Sequence, residues 1–290
     1  MPYDPRIVGQ QTTPVEHEVD ARWLMAYAAG IGDCSPSYMD TASGTVIGHP
    51  LFPVCLEWPV NLSIRELQYA GALTPEEAAR GVHATHDLHI FKPIVAGETY
   101  TTQACVVGLQ AIKPGAAQTL KLVTCDSQGE LVCTTWQTGI SRGVEIAGDN
   151  TIEEPAPEVP EPPDAAGVVS SFEVSVAEGA ANVYTETARI FNPIHSDKAY
   201  AMAAGLPDII LHGTATLALG ITELVNGCLG GDSRRITRLG GRFTGMVLMP
   251  NTLTTEVLAE EEGVLHFVIR DSDGQIVFNQ GFLCHQGPAS

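Results

Sequence analysis

The most apolar stretch of the chain lies in its second half, at residues 209–225 (IILHGTATLALGITELV). Its apolar residues occupy nearly every side of a helical wheel, which is typical of a helix buried all round. The runs VLHFVIR and QIVFNQGF follow, around a DSDG turn, and alternate as paired antiparallel strands do. LKLVTC and ELVCTTW show the same pattern around DSQG in the first half. The pattern predicts two units, each an antiparallel sheet wrapped around a long buried helix.

A repeat supports this division into two units. Residues 27–40 (YAAGIGDCSPSYMD) match residues 184–197 (YTETARIFNPIHSD) at an offset of 157, with a tyrosine, a proline and an aspartate coinciding. The same offset places 48–56 (GHPLFPVCL) on 205–213 (GLPDIILHG) without a gap. We therefore expect the two halves to share one fold.

The two repeats are separated by a segment with neither a helical nor a strand period. Residues 146–168 are rich in proline and acidic residues, a composition typical of an extended linker. The predicted domains are a first repeat at 1–145, an acidic linker at 146–168 and a second repeat at 169–290.

Composition narrows the possible functions. The formal net charge of −19 argues against nucleic acid and anionic membranes as partners, because both are bound through surplus Lys and Arg. No secretory signal or membrane-spanning run is evident, so a cytoplasmic protein is predicted. Seven scattered cysteines lack metal-ligand spacing, and no nucleotide-binding motif occurs. We predict neither a metal nor a cofactor.

The candidate chemistry lies in the second repeat. An Asn-Pro-Ile-His motif (192–195) is followed by Asp197 and then by Leu-His-Gly (211–213) at the head of the apolar helix, with Arg242-Phe243 further along. In these residues the chain resembles the MaoC-like (R)-specific enoyl-CoA hydratases and 3-hydroxyacyl-thioester dehydratases. The resemblance covers the whole chain and implies an α+β double hot dog fold.

The resemblance also implies a mechanism. His195 would act as general base on a water that adds to C3 of a trans-2-enoyl thioester, carried by coenzyme A or acyl carrier protein. Asn192 would orient His195, and the backbone N–H of Gly213 would receive the thioester oxygen. A neutral imidazole and the positive end of a helix suit these roles.

The sequence departs from the family pattern at one catalytic position. The family has Gly-Asp-x-Asn-Pro-x-His, but this chain has Ile190 in place of the aspartate. The first repeat keeps Gly32-Asp33 and has Tyr38 in place of the histidine. Three explanations stay open: Glu186 replaces the aspartate if 184–190 is helical, His195 acts alone or with a substrate group, or the chemistry has been lost.

Further residues are candidates for substrate binding. Arg189 could hold a substrate carboxylate, while His212 is expected to begin the helix as a cap or packing residue. Thr214 follows it. Four arginines lie within residues 234–242, and this segment could hold the phosphates of coenzyme A. The predicted substrate-binding residues are Arg189, His212, Thr214, Arg234, Arg235 and Arg242.

Two other functions stay possible at this stage: a non-catalytic acyl-thioester-binding or scaffold protein, and a hot dog thioesterase. A zinc site in HATHDLH (83–89) is disfavoured, because strand alternation places His86 on the face opposite His83 and His89. A homodimer of double hot dogs is also a possibility.

Overall fold

The computed structural model describes residues 2–71, 73–78, 80–163 and 167–287. The first half contains strands β1 (Val15–Val19), β2 (Gly81–Ile90), β3 (Glu98–Ile112), β4 (Gly115–Asp126), β5 (Leu131–Arg142) and β6 (Thr151–Ile152), with helices α1 (Ala21–Gly30), α2 (Pro36–Met39), α3 (Pro53–Ser63) and α4 (Pro75–Ala78). The second half contains strands β7 (Ser170–Val176), β8 (Ile236–Phe243), β9 (Asn251–Glu261), β10 (Val264–Arg270) and β11 (Ile276–His285), with helices α5 (Ala180–Ala188), α6 (Lys198–Ala203) and α7 (Gly213–Cys228). Short 3₁₀ turns occur at Pro5–Ile7, Ile64–Glu66, Pro193–His195 and Ser233–Arg235.

The strands form one antiparallel sheet. Their order is β1-β3-β4-β5-β2-β8-β11-β10-β9-β7, with β6 paired to β3. The two halves join where β2 runs beside β8, with Leu88 opposite Leu239. A Cβ on Gly240 would lie 2.2 Å from the carbonyl oxygen of His86, so only glycine fits this seam. The two predicted sheets are therefore continuous with each other.

Helix α7 is the predicted buried helix. It buries ten of its sixteen residues, from Ala215 to Val225. A Cβ on Gly220 would lie 2.5 Å from Ile269 in β10, which shows how closely the helix packs on the sheet. Its counterpart α3 is shorter, at eleven residues, and contains Pro59. No described helix is both long and apolar enough to cross a membrane.

The two repeats meet through equivalent residues. The hydroxyl groups of Tyr27 and Tyr184, which coincide in the repeat, lie 3.3 Å apart in the core. Helix α1 packs against α5, and the indole N–H of Trp23 donates to the Thr187 carbonyl at 3.1 Å. The halves are thus joined by two layers, the β2–β8 seam and the α1–α5 contact.

The segment predicted to be a linker is attached more closely than its composition suggests. Strand β6 pairs with β3, and the Lys121 ammonium donates to the Glu154 carboxylate at 2.7 Å. The Glu158 carbonyl accepts a hydrogen bond from Arg238 at 2.8 Å. Residues 164–166 of the segment lie outside the described part of the chain. A strand of two residues is too short to give a periodic signal, so the sequence did not indicate it.

The prediction that His83 and His86 lie on opposite faces of β2 is wrong. The register of β2 against β5 shifts between His83 and Thr85, and the two imidazole centroids lie 5.4 Å apart. A β-bulge inserts a residue and so breaks the alternation. Among the described residues, no group of three or more His, Cys, Asp or Glu side chains is arranged to hold a metal ion.

Candidate active site

His195 is presented by a short turn that begins with proline. It is the last residue of the 3₁₀ turn Pro193–His195, and the side-chain oxygen of Asn192 accepts a long hydrogen bond from the Ile194 N–H at 3.4 Å. The ring of Pro193 fixes φ at a value suited to the first position of the turn. Asn192 therefore shapes the turn that carries His195.

The tautomer of His195 follows from one hydrogen bond. Its Nδ1 lies 2.8 Å from the carbonyl oxygen of Ile210. Because a carbonyl oxygen only accepts, the neutral ring carries its proton on Nδ1. The other nitrogen, Nε2, has no hydrogen-bond partner among the described residues. Nε2 is thus the atom that can accept a proton from a bound water.

The surroundings of His195 keep it uncharged. Burial lowers the pKa of His195 to about 4, although the bond to the Ile210 carbonyl acts in the opposite direction. The residue as a whole is 9% exposed. An imidazole with this pKa is neutral near pH 7, which is the form a general base requires.

His212 packs against His195. The two rings are stacked, with centroids 3.7 Å apart and planes 22° apart. His212 is the N-cap residue of α7, but its side chain makes no capping hydrogen bond. Its Nε2 lies 3.4 Å from both the Thr185 hydroxyl and the Ile190 carbonyl. The contacts of His212 are those of a residue that packs beside the candidate base.

The start of α7 brings an unpaired N–H group to the site. The helix begins at Gly213, and the first N–H groups of an α-helix have no partner within the helix. A Cβ on Gly213 would lie 3.0 Å from the ring of Phe243 at the end of β8. The Thr214 hydroxyl accepts a hydrogen bond from the Tyr184 hydroxyl at 3.1 Å. Because Gly213 has no side chain, Phe243 can pack directly against the start of the helix.

Replacing Gly213 with alanine is expected to reduce stability and turnover together. The new Cβ would be pressed against Phe243, and overpacking of this kind costs about 1–3 kcal/mol. A small displacement of the helix start is expected to slow turnover about tenfold or more. Thermal unfolding and initial rates of Gly213→Ala check this. The double variant Gly213→Ala/Phe243→Leu should regain stability, whereas a single variant as stable as wild type would rule out the tight contact.

No carboxylate takes the place of the missing aspartate in the observed contacts of His195. Helix α5 ends at Ala188, because Arg189 adopts the left-handed conformation with φ of 58°. The condition for the Glu186 explanation, a helix over 184–190, is therefore not met. Glu186 is exposed, whereas Ile190 is buried with 6% exposure. The causes that shift the pKa of His195 are burial and the Ile210 carbonyl, and no carboxylate is among them.

Arg189 lies at the boundary between the two repeats. Its guanidinium carbon lies 3.7 Å from the ring centroid of Trp23 in α1, a cation–π geometry. Trp23 in turn donates to the Thr187 carbonyl. The stacking gives Arg189 a structural partner, and its role with a substrate carboxylate stays a prediction.

The arginines of the second repeat have separate environments. Arg235 is fully engaged, since its guanidinium donates to the carbonyl groups of Leu229 and Gln286 and lies 3.3 Å from a ring nitrogen of His285. Arg242 is exposed in β8, next to Phe243. Arg234 lines a cavity between the two repeats. The three predicted phosphate-binding residues are therefore not gathered into one site.

The first repeat has lost the features that make a reactive site in the second. Helix α3 begins at Pro53, three residues before Leu56, which is the residue equivalent to Gly213. Leu56 is therefore the fourth residue of its helix rather than the first, and it carries a side chain where Gly213 has none. Tyr38 replaces the histidine and is buried, which raises the pKa of its hydroxyl. This repeat offers no equivalent of the His195 and Gly213 pair.

One residue near the site was not indicated by the sequence. His83 from β2 of the first repeat packs against Phe243 in a tilted ring contact, with centroids 4.7 Å apart, and Phe243 packs on Gly213. The β-bulge that brings His83 to this side leaves no periodic signal. The first repeat thus supplies part of the wall around the helix start of the second.

Two family models match different parts of the chain. A family described as "MaoC like domain" matches residues 164–271, and one described as "FAS1-like, dehydratase domain region" matches residues 6–135. A relative from Mycobacterium tuberculosis named 3-hydroxyacyl-thioester dehydratase Y is 29% identical over 97% of this chain and 98% of its own. The peroxisomal enoyl-CoA hydratase 2 of Arabidopsis thaliana is 25% identical over 90% of this chain and 88% of its own.

Solved structures confirm the predicted fold. The crystal structure of a MaoC-like dehydratase from Phytophthora capsici superposes with a TM-score of 0.84 at 21% identity, covering 98% of both chains. A Mycobacterium tuberculosis protein described as a double hot dog superposes with a TM-score of 0.62 at 14% identity, over 96% of this chain and 95% of its own. At these identities the likeness establishes architecture alone.

Proposed function

We propose that this double hot dog protein, with a MaoC-like domain in its second half and a FAS1-like dehydratase region in its first, reversibly hydrates trans-2-enoyl thioesters. The product is an (R)-3-hydroxyacyl thioester. One observation carries the proposal. His195 is held by the Ile210 carbonyl in the tautomer that leaves Nε2 able to accept a proton, in a loop that packs beside the start of α7.

The predicted enzyme class, a hydro-lyase of acyl thioesters, is confirmed at that level by the relatives. The two that match nearly the whole chain are named as a 3-hydroxyacyl-thioester dehydratase and an enoyl-CoA hydratase. The two names describe opposite directions of one reaction. This enzyme class does not specify the acyl group, nor whether the thioester carrier is coenzyme A or acyl carrier protein.

The reaction needs one base and one oxyanion donor. Nε2 of His195 takes a proton from water as the water oxygen bonds to C3 of the enoyl thioester. The C2=C3 electron pair moves toward the carbonyl, and the resulting enolate oxygen accepts the N–H of Gly213. The imidazolium then returns its proton to C2. Water is added without any other reactant.

The base acts without a carboxylate partner. His212 stacks on His195, Ile190 is apolar, and Glu186 is exposed. His195 depends on the Ile210 carbonyl for its orientation, as other catalytic histidines depend on a carboxylate. Of the three explanations for the missing aspartate, this arrangement favours a lone histidine. Cytoplasmic location and homodimer formation stay predictions.

Replacing Glu186 with glutamine is expected to leave turnover within about twofold of wild type, because this side chain is exposed and His195 does not respond to its charge. Initial rates of enoyl thioester hydration measure the effect. Glu178→Gln, an exposed glutamate just before α5, provides a matched control. A loss of a hundredfold confined to Glu186→Gln would restore the relocated-carboxylate explanation.

The stereochemical assay tests the proposed function. Supplied separately with (R)- and (S)-3-hydroxyacyl-CoA, the protein should generate the ultraviolet absorbance of the conjugated enoyl thioester from the (R) isomer. Release of free thiol without that absorbance would indicate a thioesterase. No reaction with either isomer, combined with stabilisation of the fold by acyl-CoA, would favour the non-catalytic binding protein.

A further inference from the structure

A cavity lies between the two repeats, and its lining does not include His195 or Gly213. Its volume is about 630 Å³, within the range of small-molecule binding sites. It lies between the start of α3, the end of β2 and the start of β8 from the other repeat. Residues of both repeats line it, among them Gly48, His49, Pro53, Ile90, Ser233 and Arg234.

The repeat relation places this cavity where the first repeat would have its own active site. Tyr38 occupies the position of His195, and its ring lies 5.7 Å from that of His49, which lines the cavity. The start of α3 borders the cavity as the start of α7 borders His195. The cavity is therefore the counterpart of the candidate active site rather than an extension of it.

A carboxylate remains buried near this cavity. Asp33, at the position of Ile190, is 3% exposed, and its Oδ1 accepts hydrogen bonds from the N–H and hydroxyl of Ser35 at 3.0 and 2.6 Å. Its Oδ2 is buried and has no partner among the described residues. The Asp33 charge acts on His49, since it opposes the lowering of the pKa of that histidine by burial. A buried polar oxygen without a partner is costly, and this favours a ligand or water beside it.

The groups around the cavity suit binding but not hydration. The Nδ1 of His49 accepts from the Leu51 N–H at 3.1 Å, so its Nε2–H donates to the Thr222 hydroxyl at 3.2 Å. Neither nitrogen is free to act as a base. The helix start at Pro53 has no N–H at its first position.

The lining has an apolar body and one available cation. Aliphatic and aromatic side chains make up much of the wall: Ile47, Ile90, Phe91, Ile94, Val132 and Ile236. Lys92 is paired with Asp126 and Glu130, and Arg238 with Asp87. The Nε of Arg234 donates to Asp232 at 2.7 Å, while its terminal nitrogens have no partner within the described chain.

We propose that this cavity is a second, non-catalytic site, which binds an acyl chain with an anionic head group held by Arg234. The apolar wall accepts the chain, and the terminal N–H groups of Arg234 meet the carboxylate or phosphate at its end. An acyl-CoA and a free fatty acid share this chemistry. The site does not depend on turnover at His195.

Binding stoichiometry tests the second site directly. Octanoyl-CoA, which has no double bond to hydrate, is titrated calorimetrically into the full chain and should give two equivalents. The cavity-filling variant Ile90→Trp should bind one. Arg234→Glu should weaken the second binding about tenfold, as expected for loss and reversal of one charge contact. Arg6→Glu is the matched control, because Arg6 forms a similar exposed pair with Asp4 and should keep both equivalents.

The outcomes distinguish this proposal from the catalytic one. Two equivalents that persist in His195→Asn would support the second site whether or not the protein is a hydratase. One equivalent in wild type, with affinity reduced by Ile90→Trp, would show a single ligand reaching both regions and would overturn the proposal. Competition between octanoate and octanoyl-CoA for the second site shows whether that site prefers a free fatty acid or an acyl-CoA.

Discussion

His195→Asn is expected to lower the turnover of enoyl thioesters by about 10²- to 10⁴-fold, the usual contribution of a positioned general base. The amide of asparagine can still donate to the Ile210 carbonyl, so the loop keeps its anchor. It has no basic atom in the place of Nε2. The loss should therefore appear in kcat while the fold is unchanged.

The matched control is a buried histidine elsewhere in the sheet. His266 in β10 is 5% exposed, so His266→Asn removes a buried imidazole of similar burial away from the site. We expect turnover within about twofold of wild type for this variant. Circular dichroism and thermal unfolding verify the fold of both proteins. More than a tenth of wild-type turnover in a folded His195→Asn variant would contradict the assignment of the base.

The free energy of unfolding is expected to fall steeply as the pH is lowered from about 6.5 to 4. Burial lowers the pKa values of His49, His86 and His195 to about 4. Between pH 6.5 and 4 these histidines bind protons in the unfolded chain but not in the native protein. Their contribution to the free energy of unfolding is therefore complete above pH 6.5 and is lost on acidification. A difference of about 2.5 pKa units corresponds to about 3 kcal/mol for each histidine.

One carboxyl group acts in the opposite direction. Burial raises the pKa of Glu57 to about 7, although the Thr135 hydroxyl donates to the carboxylate and favours its charged form. The native protein binds this proton more tightly than the unfolded chain, so the contribution of Glu57 is complete below pH 4.5 and is lost as the pH rises to 7. The pH dependence of Glu57 cancels the contribution of about one of the three histidines to the free energy of unfolding. Acid therefore still destabilises the fold.

Urea unfolding between pH 7.5 and 4.5 measures this dependence. His86 is the suitable probe, because both of its nitrogens are buried without a partner among the described residues. His86→Leu should reduce the slope by about 1.4 kcal/mol per pH unit at mid-window, the value for one proton. A free energy of unfolding that is constant over the window would show that these histidines are not protected from protonation.

The fold could be predicted because its largest signals can be recognised in the sequence itself. The apolar run of α7 requires burial on all sides, and the repeat at an offset of 157 requires two similar units. The structure contains both features: α7 is buried, and the equivalent residues Tyr27 and Tyr184 meet in the core. The two-residue strand β6 was not predicted, because so short a strand has no period.

The site was less predictable, because it depends on contacts between distant segments. Arg189 ends α5 in a left-handed conformation that its residue type does not indicate, and Glu186 lies on the exposed face of that helix. The stack of His195 on His212 arises only when the two segments meet. Arg234 and Arg235 are adjacent in sequence, yet one lines a cavity and the other is bonded within the fold.

Hydration by the wild-type protein tests the central claim most directly. The loss of enoyl absorbance would be followed for short, branched, aromatic and dicarboxylic trans-2-enoyl-CoAs, with a thiol reagent present in a parallel series. We predict loss of absorbance with at least one member of the panel and no release of thiol. Unchanged absorbance across the whole panel, in a folded protein, would contradict the hydratase function and leave binding as the role of this fold.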